Sequence, residues 1–236
     1  MLAKITAVFV VLALAVIPVA MGQAAETDSS AGEPEAITVE MMIIRETSMS
    51  TSREQNLLAL EAIEGAIGRG STSDEILYSA LERLVLAGSQ NRVAVRGQVV
   101  NNFPDVRQGA ARQLGAMGSE DARAILLRAS LSEREPIVMY EIITAIGEID
   151  SEDNAQAISI IVWAANRFHR APAPNNHVAL ATVNALERMS ERDEGITDHN
   201  AFRYLFGVAE GPYVTFVRER AREVIDTLLG NDDSEE

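Results

Sequence analysis

The chain has 236 residues, is 47% hydrophobic but only 5% aromatic, and contains no cysteine. This composition favours packed helices rich in Ala, Leu, Ile and Val over a β-sandwich, and it excludes stabilisation by disulfides. The formal net charge of −15 argues against nucleic acid and anionic membrane surfaces as partners, because both need a basic footprint.

Residues 1–22 have the pattern of a secretory signal peptide. Lys4 precedes an apolar run over 5–19, and cleavage is expected after Gly22 or Ala24. A buried core helix and an uncleaved membrane anchor are the alternatives, although the run is shorter than the ~20 residues needed to span a bilayer. We therefore expect an exported, periplasmic or cell-envelope protein that touches a membrane only through an uncleaved signal segment.

Residues 23–50 have the composition of a flexible linker. An apolar island over 37–44 interrupts the linker and predicts a short helix or strand that caps the open end of a repeat array. A segment that binds a partner is the alternative.

Regular helices are predicted to begin at Thr51, because Thr51 and Glu54 have the spacing of a capping box. The first helix is expected to end at Gly68, and a second one to extend over about 74–88. Three valines at 95, 99 and 100 share one helical face, so residues 93–102 are predicted to form another short helix.

One pattern occurs twice between residues 104 and 158, at an offset of about 32 residues. The corresponding positions are Pro104 and Pro136, Val106 and Val138, Ala110 and Ile142, Ala111 and Ile143, Leu114 and Ile146, Gly115 and Gly147, Met117 and Ile149, Ser119 and Ser151, Glu120 and Glu152, Asp121 and Asp153, and Leu126 and Ile158. A fixed period of this size is typical of helical-repeat arrays.

Each copy of the pattern predicts a helix hairpin. In the first copy, the helix over 105–117 is expected to stop near Gly115, and Ser119 to cap a helix that begins near Asp121. In the second copy, Gly147 and Ser151 occupy the same places.

The run Val106-Arg107-x-x-Ala110-Ala111-x-x-Leu114-Gly115 resembles the first helix of a HEAT-type repeat, in the short bacterial form related to armadillo repeats. Weaker copies follow, with Met139 in place of Arg107 in the second and Val217-Arg218 in the last. The resemblance implies an all-α fold, a right-handed α-solenoid of antiparallel helix hairpins over residues 51–230. It also implies that second helices line a concave inner surface with a protein-binding role. The acidic residues 231–236 are expected to be disordered.

Trp163, the only tryptophan, falls off the apolar stripe of a helix predicted over 153–168. The family arrangement would place Trp163 on the inner wall, and packing against the adjacent repeat is the alternative. The loop over 167–176 follows, where the period lengthens from about 32 to about 40 residues. Its residues Arg167, His169 and Arg170 form a local positive patch. This patch predicts contact with an acidic partner or, alternatively, neutralisation of neighbouring carboxylates.

The helix predicted over 198–208 contains the densest aromatic cluster, and most of that cluster is expected in the core. Arg203 and one ring are expected to join Trp163. The candidate partner-binding residues are therefore Trp163, Arg167, His169, Arg170, Arg203 and Tyr204.

The sequence contains no recognisable catalytic motif. The three histidines lack metalloprotease spacing, and Walker, Gly-x-Ser-x-Gly and EF-hand patterns are absent. We expect no metal, no cofactor and no enzymatic activity, and most arginines are expected to pair with carboxylates. The predicted function is an exported scaffold that binds a protein or peptide on its concave face. An enzyme similar to the HEAT-like bilin lyases and a structural envelope spacer are the alternatives.

Overall fold

The computed structural model describes residues 38–151, 153–192 and 196–232, and the side chains of this part up to Gly230. Within these ranges the chain forms ten helices and one two-stranded hairpin. They are α1 Val39–Ser48, α2 Arg53–Gly68, α3 Glu75–Leu86, β1 Ala94–Val95, β2 Gln98–Val99, α4 Pro104–Met117, α5 Glu120–Ser132, α6 Pro136–Glu148, α7 Ala155–His169, α8 Asn176–Arg192, α9 His199–Glu210 and α10 Thr215–Asp232. The predicted signal peptide, most of the predicted linker and residues 233–236 of the tail lie outside the described residues.

Consecutive helices pair and stack in two layers. Helices α2, α4, α6, α8 and α10 lie side by side in one layer, and α3, α5, α7 and α9 lie in the other. Helix α1, which contains most of the apolar island at 37–44, packs on α2 and α3. The predicted all-α solenoid of helix hairpins is thereby confirmed.

Very close backbone contacts hold the layer of first helices together. A Cβ added to Gly115 would lie 2.8 Å from the Cβ of Ala145, and one added to Gly147 would lie 2.8 Å from the Cβ of Ala185. The predicted role of these glycines as helix stops is wrong, because both lie inside their helices. Helix α4 ends instead at Gly118, which has a φ of +64° that favours glycine.

The two Ser-Glu-Asp runs have different roles. Ser119 caps α5 as predicted, since its Oγ accepts the N–H of Ala122 at 3.1 Å. The same prediction for Ser151 is wrong: α7 begins at Ala155, and the Ser151 hydroxyl accepts a hydrogen bond from Arg123 of the preceding repeat. Glu152 lies outside the described residues.

The helix predicted over 93–102 is also wrong, because this segment is a β-hairpin. Arg96 has a φ of +51° and Gly97 a φ of +82°, so both central residues of the turn have the left-handed conformation that suits a two-residue hairpin loop. The capping box at Thr51 is wrong as well. Helix α2 begins two residues later, at Arg53. The N–H of the preceding residue, Ser52, donates a hydrogen bond to the Oγ of Ser50.

A buried ion pair joins two connections of the array. Arg107 and Glu133 are each only 2% exposed, and Nε of Arg107 lies 2.7 Å from Oε2 of Glu133. The guanidinium also donates to the carbonyl of Ala87 at 3.1 Å and to Oδ1 of Asn102 at 2.7 Å. This pair therefore ties the end of α3 and the start of α4 to the turn between α5 and α6. In the second copy, buried Met139 stands in place of the arginine.

Candidate functional site

Trp163 lies on the exposed face of α7, opposite the buried face that packs on the first helices. The apolar stripe predicted for this helix is confirmed, since Ile158, Ile161, Val162 and Ala165 are buried and Phe168 packs on the core. Trp163 points the other way and is 56% exposed. The alternative in which its indole packs into the adjacent repeat is therefore wrong.

Arg167 lies one turn after Trp163 on the same face of α7. Its Cζ lies 5.1 Å from the centre of the Trp163 ring, within range of a cation–π interaction. The guanidinium also donates to the carbonyl of Leu131 at 2.8 Å and to that of Ser130 at the end of α5. Burial, followed by the nearby charge of Arg134, lowers the pKa of Arg167. Arg167 thus covers one face of the indole and satisfies carbonyls that the end of α5 leaves without helical partners.

A groove of about 440 Å³ opens on the other side of Trp163, between α7 and α9. Five of the six predicted residues line it: Trp163, His169, Arg170, Arg203 and Tyr204. The remaining wall consists of Ser159, Val162, Asn166 and Asn200. The period-3.6 arrangement of α7 and α9 brings these side chains together from two helices whose sequences are more than 30 residues apart.

The floor of the groove is a hydrogen-bonded aromatic cluster. Nδ1 of His169 lies 2.8 Å from the hydroxyl of Tyr213, and its ring centre lies 5.7 Å from that of Tyr204. Tyr204 is only 3% exposed, so it supports the groove and offers little surface of its own. Burial raises the pKa of Tyr213 to about 12, and burial, with a smaller effect of Arg170, lowers the pKa of His169. The floor is therefore neutral at pH 7.

The rim of the groove carries positive charge. Arg170 and Arg203 are both exposed, and among the described residues neither lies within 4.0 Å of a carboxylate. The alternative in which Arg167 and Arg170 neutralise neighbouring carboxylates is not supported by a direct ion pair, since neither forms one within 4.0 Å among the described residues, although the charge of Glu133 acts on Arg167. The rim therefore combines an exposed indole with two cations that have no ionic partner in the described part of the chain.

Residues 93–173, from the β-hairpin to the loop after α7, match the family model for HEAT repeats. This segment is therefore similar to HEAT repeats. It covers about a third of the chain and includes Trp163, Arg167, His169 and Arg170. The helix pairs on either side extend the same two layers. Comparison with curated proteins and with solved structures gives no significant match.

A second groove, which the sequence did not indicate, lies mostly within this segment and is closed by Arg192 of α8. It has a volume of about 780 Å³ and lies between α5 and α7, with Glu120, Arg123, Asp153 and Arg192 among its lining residues. Its charges are engaged within the protein. Arg192, for example, lies 2.8 Å from Asp150 and donates to the carbonyl of Ile149 at the end of α6. The sequence did not reveal this groove because its residues come from four separate elements.

The described part of the chain contains no cluster of three or more His, Asp or Glu side chains arranged to hold a metal ion. None of the helices described is both long and apolar enough to cross a bilayer.

Proposed function

We propose that the protein is an exported, non-enzymatic interaction module that binds a partner protein or peptide on the surface of its second helices. One observation supports this proposal above all: Trp163, the only tryptophan, stands 56% exposed on α7 and is held in place by Arg167. Tryptophan and arginine are the residues most enriched at binding hot spots, and an exposed indole has no role in packing the core.

The repeat architecture supports the same conclusion. HEAT repeats generally mediate protein–protein interaction, and their solenoids are typically non-enzymatic scaffolds. In the family arrangement the second helices form the concave face, so the proposal places the partner there. The exposed indole favours a specific ligand over the envelope-spacer alternative, and no feature of the groove specifically favours a bilin-lyase-like enzyme.

A photo-crosslinking capture tests this function. A photoreactive residue introduced at Asn200, an exposed residue that lines the Trp163 groove, should trap a partner from the cell-envelope fraction. Replacing Trp163 with Ala should abolish capture without changing the helical circular dichroism. The matched control is Leu229→Ala, which removes an apolar side chain of similar exposure from α10 and should leave capture intact. Equal capture by the Trp163→Ala variant would refute the proposed site, and no capture by any form would support the spacer.

Export is tested separately. The proposal rests here on the signal-like pattern of residues 1–22, and it predicts that protein recovered from the envelope or periplasmic fraction starts after Gly22 or Ala24. Mass spectrometry of the intact protein measures this directly. An unprocessed chain that remains in the cytoplasm would contradict export while leaving the binding proposal standing.

A further inference from the structure

We infer that the groove between α7 and α9 selects an acidic peptide segment, whose carboxylates pair with Arg170 and Arg203 while an apolar side chain covers Trp163. This inference rests on the proposed function and specifies the chemistry of the partner.

The charge of the groove lining differs from that of the chain as a whole. The chain has 35 acidic and 20 basic residues, yet the described residues that line this groove include no Asp or Glu. Some arginines elsewhere in the described part of the chain have carboxylate partners, such as Arg188 with Glu148 at 3.3 Å and Arg220 with Glu187. Arg170 and Arg203 form no such pair among the described residues, and in a strongly acidic protein they face a groove lining that includes no carboxylate.

Asp198 is an acidic residue close to this groove, but it is not among the residues that line it. Asp198 caps α9 beyond the end of the groove, accepts the N–H of Asn200 at 2.7 Å and accepts the hydroxyl of Ser159. The hydrogen bond from Ser159 lowers the pKa of Asp198, so this carboxylate stays ionised in its capping role. Asp198 forms no ion pair with Arg170 or Arg203 within 4.0 Å, so both guanidinium groups remain available to a ligand.

The size and the composition of the groove suit a short peptide segment. A groove of about 440 Å³ accommodates a few side chains, as in sites that bind short peptide segments. Guanidinium groups bind carboxylates through paired, charge-assisted hydrogen bonds, and an indole offers a rigid apolar surface beside them. A peptide of interspersed acidic and apolar residues satisfies both features. The net charge of −15 repels every anion, but it repels a polyanion of uniform charge, such as nucleic acid or an anionic bilayer, more strongly than a short peptide in which apolar residues separate the acidic ones.

The experiment is a titration followed by Trp163 fluorescence and by calorimetry. The probe is a ten-residue peptide of glutamates interspersed with leucines, compared with the same peptide in which Gln replaces every Glu. We expect only the acidic peptide to bind, and to bind more weakly as salt increases. The Arg170→Gln and Arg203→Gln double variant should weaken binding at least tenfold, because a hydrogen bond to a charged group contributes about 1.5–3 kcal/mol. The matched control, Arg45→Gln with Arg188→Gln, changes the net charge equally at two exposed sites and should change binding less than about twofold.

The outcomes separate this inference from the proposed function. Equal binding of both peptides, no binding of the acidic peptide, or an equal loss in the control variant overturns the acidic selectivity. In each case Trp163-dependent capture of a partner still upholds the interaction module. Tighter binding of an oligonucleotide or of anionic vesicles than of the acidic peptide also overturns the inference. Loss of both the peptide effect and the Trp163-dependent capture refutes the two together.

Discussion

Replacing Arg107 with Met tests whether the buried ion pair stabilises the array. Met is the natural choice, because Met139 occupies the same position in the second copy and is fully buried there. The substitution keeps an apolar side chain of similar length and removes only the guanidinium. Glu133 would then retain two donors, the N–H groups of Arg134 and Glu135, each at 2.8 Å from its Oε1.

The expected loss of stability follows from the buried Glu133 carboxylate that remains without its partner. Arg107 makes four hydrogen bonds, two to Glu133 and one each to Ala87 and Asn102. Without it the Glu133 carboxylate is 2% exposed and lacks a counter-ion, a situation that typically costs about 3–5 kcal/mol. Glu133→Gln in the same chain removes the unpaired charge while keeping an acceptor for the backbone. The double variant should therefore recover about 1–3 kcal/mol of that loss.

Urea unfolding followed by circular dichroism and by Trp163 fluorescence measures both values. The control is Arg188→Met, which removes an exposed pair with Glu148 and should cost no more than about 1 kcal/mol. A loss below about 1 kcal/mol for Arg107→Met, or a double variant less stable than the single one, would refute the reasoning. Disagreement between the two probes would show that the repeats unfold separately, since cooperativity weakens in repeat arrays.

Three further predictions concern single sites. Gly147→Ala should cost about 1–3 kcal/mol in thermal unfolding because its methyl group would press on Ala185, whereas Gly68→Ala, which meets no atom within 4 Å, should be neutral or stabilising. Arg96→Asn should stabilise the hairpin by a few tenths of a kcal/mol, measured by the same assay, because asparagine adopts positive φ more readily. The lowered pKa of His169 means that the stability it confers is present above its unfolded pKa of ~6.5 and is lost as the pH falls through its folded pKa. His169→Gln should therefore reduce the drop in melting temperature between pH 7.5 and pH 5; an unchanged drop would contradict this.

The helices and their buried faces were predictable because the relevant signal is local. Val106, Ala110 and Leu114 recur on one face of a single helix, and all three are fully buried. The hairpin was not predictable in the same way. Val95 and Val99 are four residues apart, which fits a helical face, but they lie on two paired strands, and Arg96 gave no sign of positive φ.

Roles that depend on distant neighbours escaped the sequence. Gly115 and Gly147 are required by alanines 30 and 38 residues further along the chain, and nothing near them indicates this. The partner of Arg107 lies 26 residues away in a turn. The candidate groove was anticipated in part: helical spacing placed Trp163 off the apolar stripe of its helix, while the burial of Tyr204 and the carbonyl partners of Arg167 depend on α5, α8 and α10.

The unequal spacing of the two layers has a mechanical consequence. Gly115 lies against Ala145 and Gly147 against Ala185, so α4, α6 and α8 cannot approach one another further without a clash. The second helices are separated instead by open grooves on either side of α7. Bending of the array is therefore expected to widen or narrow these grooves, so that a ligand bound in the groove beside Trp163 would also stiffen the array.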